Sequence, residues 1–133
     1  MQLTRGAVGD AIRRITKYDY TWHSQPSLYP QAMLLTKKTF LIAGPPRFDE
    51  EVTALRLSTA RTDRFPSDPL LQMALDTFEG RKGGVLCAID KAGGTQLAEL
   101  QLSSPPVFDG MAAANGRVYM SLKNGQVVCL SGK

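Results

Sequence analysis

Gly83-Gly84-Val85-Leu86-Cys87-Ala88-Ile89-Asp90 returns in loose form as Gly125-Gln126-Val127-Val128-Cys129-Leu130-Ser131-Gly132. Gly83 and Gly125 stand 42 positions apart, and so do Cys87 and Cys129. Each copy is a short apolar run introduced by glycine. A recurrence near this length, built from short strands and glycine turns, is the sequence form of one β-propeller blade. The repeat therefore predicts antiparallel β structure in a chain that forms part of a larger closed object.

Outward from the repeat the texture stays the same. Asn115-Gly116 and Lys123-Asn124-Gly125 are hairpin turns around Arg117–Ser121, because Asn-Gly accepts the left-handed backbone that tight hairpins need. Thr95 to Leu102 alternates, with Leu97, Glu99 and Gln101 on one parity and Ala98, Leu100 and Leu102 on the other. Upstream, Ala32–Leu35 and Thr39–Ala43 are apolar strands joined by Thr36-Lys37-Lys38, and Gly44-Pro45-Pro46 ends that hairpin. Lys38–Ala43 matches Gly116–Ser121 at a distance of 78 positions, and removing one period leaves 36. That excess equals the irregular, charged stretch in between. The prediction is one blade over 31–102, interrupted between its second and third strands by an insertion at 47–82. A second blade of three strands runs from about 107 to 130. The fold class expected is all-β: a partial β-propeller of about two antiparallel blades with one inserted α-helix.

The inserted helix is marked by Ser67 or Asp68 as cap, Pro69 in its first turn and Gly80 at its end. Leu71, Leu75 and Phe78 share one face, with Leu70 and Ala74 beside them, while Gln72, Asp76 and Glu79 face away. Such a stripe covers a blade edge or face, or binds a partner. Residues 1–30 form an irregular N-terminal segment. Ala7 to Tyr20 has weak helical spacing, and Tyr18–Trp22 reads as a strand, the remnant of a preceding blade.

Sixteen Lys and Arg against twelve Asp and Glu give a net charge of +4. The basic residues are scattered as Arg13-Arg14, Lys37-Lys38, Arg81-Lys82 and Lys123, with no stripe interleaved with aromatics, so no nucleic-acid partner is expected. No apolar run reaches the length of a membrane span. Met1–Gly6 lacks the apolar stretch of a signal peptide, so the chain as written stays in the cytosol unless its true start lies upstream.

Individual side chains point to turns more than to chemistry. Asp109-Gly110 reads as a ligand-facing turn or, preferably, as a turn held by its own backbone contacts. His23 is the single histidine, without partners for a metal or nucleophile set. Asp49-Glu50-Glu51 lacks the alternating oxygens of a calcium loop. Gly83, Gly84, Gly93 and Gly94 lack the companions of a phosphate loop. Cys87 and Cys129 are expected as two small buried hydrophobes, too far apart in neighbouring blades to bridge.

Gly84-x-Leu86-x-Ala88-x-Asp90-x-x-x-Gly94 resembles the repeat of quinoprotein-like (PQQ-like) propellers. Ser104–Ala114 followed by Gly116–Tyr119 is similar to the C-terminal blades of exported bacterial members. Phe40–Pro46 resembles the blade before. The resemblance covers roughly 31–130 and implies a periplasmic or otherwise exported parent. Quinoprotein dehydrogenases hold a quinone and calcium with a catalytic Asp, carboxylate and amide ligands, stacking Trp and often adjacent cysteines. None of these can be placed here: there is no Cys-Cys pair, Trp22 lies outside the matched region, and Asp90 fits a turn role. No catalytic residue, metal ligand or cofactor is therefore assigned. The reading is a non-catalytic C-terminal part of a propeller, serving as a scaffold or as a protein- or glycan-binding platform. The alternative is a C-terminal fragment of a quinoprotein oxidoreductase whose active site lies in missing blades. A small standalone β-rich protein with a lidding helix is the third reading. Two blades cannot close a ring, so the expected partners are the remaining blades or a second copy joined through exposed edges.

Overall fold

The computed structural model describes residues 20–48 and 69–132. The acidic run 49–51, the cap expected at Ser67 or Asp68, Arg13-Arg14, and all but Tyr20 of the helical spacing read over Ala7 to Tyr20 lie outside them. Seven strands and one helix follow in the order β1 (Ala32–Leu35), β2 (Thr39–Gly44), α1 (Pro69–Phe78), β3 (Gly84–Asp90), β4 (Gln96–Leu102), β5 (Pro106–Ala114), β6 (Arg117–Leu122) and β7 (Val127–Ser131). They make two antiparallel sheets, β1-β2-β3-β4 and β5-β6-β7, each in simple sequence order.

The turns obey their residues. Thr36 closes the β1–β2 turn by accepting from Thr39 N–H through its hydroxyl, at 3.0 Å. Asn115 and Gly116 both take positive φ, 52° and 73°, the geometry that suits a two-residue hairpin between right-twisted strands. The second Asn-Gly works differently. Gly125 N–H donates to Leu122 O at 3.0 Å and Leu122 N–H to Gln126 O at 2.8 Å. Here only Gly125 is left-handed, at 84°, as in a three-residue loop ending in a glycine bulge.

The two sheets pack face to face. Ala32, Ala43 and Leu86 of the first meet Met111, Met120 and Leu122 of the second, with Leu34, Leu41, Leu102, Val118, Val128 and Leu130 around them. β1 and β5 lie side by side and run in the same sense. Asp109 N–H donates to Gln31 O at 3.0 Å beside the start of β1, while Thr36, just past its end, shares a depression with Ala113 and Ala114.

The other face of the first sheet carries Ile42, Val85, Cys87 and Ile89, and the segment before β1 covers it with Leu28 and Trp22. Residues 20–22 are not in a strand, in contrast to the expectation for Tyr18–Trp22. Trp22 docks its side chain onto the sheet here. From Ser27 onward the segment does pair, extending the β1–β2 ribbon through Arg47 N–H to Ser27 O and Tyr29 N–H to Pro45 O, both 2.9 Å. Ala at Gly44 would put Cβ only 1.7 Å from Tyr29 O, so this crossing requires glycine.

Among the described residues helix α1 spans Pro69–Phe78, and Gly80 follows its end with φ 86°. Its buried positions are Leu71 and Thr77, whereas Leu75 and Phe78 are 46% and 48% exposed. The contact line is rotated toward Thr77, whose hydroxyl is satisfied by donating to Met73 O at 2.8 Å. Phe78 instead closes a three-ring cluster with Tyr29 and Phe48, at centroid distances of 5.4 to 5.6 Å. Lys123 Nζ donates to Phe78 O at 3.2 Å, tying the helix C-terminus, where the dipole favours a cation, to the β6–β7 turn.

Candidate functional site

Among the described residues, polar or strained groups come together at the repeat turn, at the start of β5 and around Glu99. The first is the turn of the repeat motif. Asp90 Oδ2 accepts from Gly93 N–H at 2.7 Å, and Asp90 O accepts from Gly94 N–H at 2.9 Å. Asp90 thus shapes the turn with its own carboxylate, as Asx-type turns do. Gly94 has φ 72°, and a Cβ on it would lie 2.5 Å from Trp22 Cε3. The indole therefore rests where only glycine leaves room, and Trp22 Nε1 donates to Lys91 O at 2.9 Å. Trp22 lies outside the stretch that carries the repeat pattern, yet it is fastened to that pattern in space. Lys91 N–H donates to Lys38 O at 3.0 Å, joining this turn to the β1–β2 turn. Lys37, Lys38, Asp90, Lys91 and Ala92 line an open depression of about 350 Å³, whose lining carries three lysines to one carboxylate.

The second place is the start of β5. Pro106 faces Leu122 and Met111 faces Met120, so residues 107–110 bulge out opposite Ser121 alone. Asp109 takes φ 54° and its N–H ties β5 to the residue before β1 through Gln31 O. A Cβ on Gly110 would come within 2.4 Å of Val107 Cγ2. Asp109-Gly110 thus makes a structural bend at the seam between the sheets. The bend leaves Phe108 88% exposed, and Gln31, far off in sequence but bonded to Asp109, has its side-chain Oε1 buried without a hydrogen-bond partner.

The third place was not foreseen. Glu99 accepts from Ser27 Oγ at 2.9 Å, Gln96 Nε2 at 3.2 Å and Gln101 Nε2 at 3.1 Å, and Cys87 Sγ lies 3.9 Å away. The register Cys87↔Glu99 creates this group, and no sequence spacing announces it. Burial pushes the Cys87 thiol up, and the Glu99 charge pushes it further. A thiol held protonated is a poor nucleophile, so the group acts as an anchor for the segment before β1.

The cysteines part company with expectation. Cys87 is buried, Cys129 is exposed, and both are free. The cause is their strands: β3 is interior and covered on both faces, while β7 is an edge strand whose cysteine-bearing face is bare. His23 is exposed. Among the described residues no three His, Cys, Asp or Glu gather where a metal ion would fit, and no helix is long and apolar enough to cross a membrane. Compared with known proteins, the chain matches no family model, no curated protein and no solved structure.

Proposed function

We propose that the chain forms two successive blades of a β-propeller of the quinoprotein-like repeat type and acts as an assembly or binding platform, not as a catalyst. One observation carries this reading: two up-and-down antiparallel meanders stack face to face with their first strands adjacent and parallel. Successive propeller blades are four-stranded meanders set around a central channel. Among the described residues the first sheet has four strands, and the second has three with β7 as its open edge. Trp22 on Gly94 and Leu28 in the core make the segment before β1 a strap across the first sheet. The resemblance in the repeat carries the further expectation of an exported parent.

The platform reading rests on the open β7 edge. Leu122 N–H donates to Gln126 O, so Leu122 points its backbone groups toward β7 at the turn. Bonded pairs alternate along an antiparallel ladder, so with the observed register the N–H and C=O groups of Val127, Cys129 and Ser131 point away from β6. In the monomer these amides should exchange with solvent quickly while those of Val128 and Leu130 stay protected. Slow exchange of both sets in a verified monomer would contradict an open edge. Titration with pyrroloquinoline quinone and calcium should change neither melting temperature nor quinone absorbance; saturable binding would favour the oxidoreductase alternative.

A further inference from the structure

We infer that the strand completing the second sheet is β7 of a second copy, paired antiparallel about a two-fold axis at Cys129. This rests on the reading of β7 as an open edge and names its occupant. With Val127, Cys129 and Ser131 pointing outward, a two-fold through Cys129 sets Cys129 against its mate and Val127 against Ser131 in both directions. That is three facing pairs, each exchanging two hydrogen bonds. A two-fold through Val128 satisfies only two such pairs, so the Cys129-centred register makes the longer ladder.

Among the described residues, the edge strand itself carries none of the devices that keep sheets apart. Val127–Ser131 contains no charge and no proline, and its ladder to β6 runs without a bulge. Its side chains complement themselves: a valine meets a serine, a cysteine meets a cysteine, and no like charges are brought opposite. The exposed face continues across the joint. Ala112, Tyr119 and Cys129 form one cross-strand row, and Val127 is 71% exposed beside it. Pairing two copies makes a six-stranded sheet with two such rows meeting at its centre, an isologous contact that closes on itself.

Facing residues of a bonded antiparallel pair have Cα atoms about 5.5 Å apart, inside the range a disulfide accepts. Oxidised glutathione can therefore lock the pair. One S–S bond forms between the two Cys129 Sγ atoms, and their two electrons and two protons pass to the glutathione disulfide, which leaves as two thiols. Buried Cys87 takes no part.

The test is sedimentation-equilibrium mass measurement of the 133-residue chain at rising concentration, followed by oxidation with glutathione disulfide and non-reducing electrophoresis. The expected result is a shift from 14.5 kDa to twice that mass, with a covalent dimer abolished by Cys129→Ser. Cys129→Lys places like charges face to face on a side chain outside the core and should weaken the dimer roughly fivefold or more with the monomer's melting temperature unchanged. Val127→Cys in the Cys129→Ser background should not cross-link, because position 127 faces 131. A monomer at all concentrations with freely exchanging amides at 127, 129 and 131 overturns this inference and leaves the open edge standing. Protected amides in that monomer overturn the open edge itself. A dimer that cross-links as well through position 127 overturns the register.

Discussion

The centre of the first sheet, β2 and β3, is covered on both faces, whereas the second sheet is covered on one. Between them they share a core in which Met120 and Leu122 meet Ala32 and Leu86. Beyond that shared layer they diverge. Leu28 and Trp22 lie over Ile42, Cys87 and Ile89, while the corresponding far face of β6–β7 shows Tyr119, Val127 and Cys129 to solvent. The repeated cysteines report this difference at equivalent positions of one motif: the same residue type is an inert core atom in one copy and an open thiol in the other. A repeat conveys the local strand, whereas what covers that strand is decided by neighbours the repeat does not encode.

The largest effect is expected where both sheets depend on one side chain. Met120→Ala removes a fully buried side chain from the joint core and should cost about 3 kcal/mol in urea unfolding; a cost near zero would mean the sheets do not pack on each other. Trp22→Ala strips part of the cover from the first sheet alone and should cost about 2 kcal/mol, with faster amide exchange in β3 but not in β6. Equal loosening of both sheets would erase the contrast. Gly94→Ala should loosen the same cover, since its Cβ collides with the indole.

Smaller effects come from the cysteines. Cys87→Ser puts a hydroxyl in a site evolved around sulfur and should cost about 1 kcal/mol, against less than about 0.5 kcal/mol for Cys129→Ser. The Cys87 thiol is also a pH probe. Burial and the neighbouring Glu99 charge raise its pKa in the folded chain, so the folded state favours the protonated form. The stability this gives is complete below the unfolded value of roughly 8.5 and is lost as pH rises above it toward the folded value. Unfolding midpoints should fall in that alkaline range and fall less in Cys87→Ala.

Much of the fold was legible because turn chemistry is local. Asn115-Gly116, Thr36–Thr39 and Pro69 with Gly80 set their elements by backbone preference, so strand order and the interrupted first sheet could be read directly. The helix stripe was misjudged at Thr77 and Phe78, since a threonine that bonds back to Met73 can be buried and a phenylalanine can be drawn into a ring cluster with Tyr29 and Phe48. Trp22 on Gly94 and the group around Glu99 were not legible. Both join residues 72 positions apart, through a register that exists only once the sheet has formed.

Thiol labelling of the native chain at low concentration tests the central contrast most directly. With Ellman's reagent at neutral pH, Cys129 should react at once and Cys87 only as the chain unfolds, giving one fast equivalent and one whose rate follows denaturant. Two equally fast thiols, or two equally slow ones, would contradict the account of one covered sheet and one open sheet.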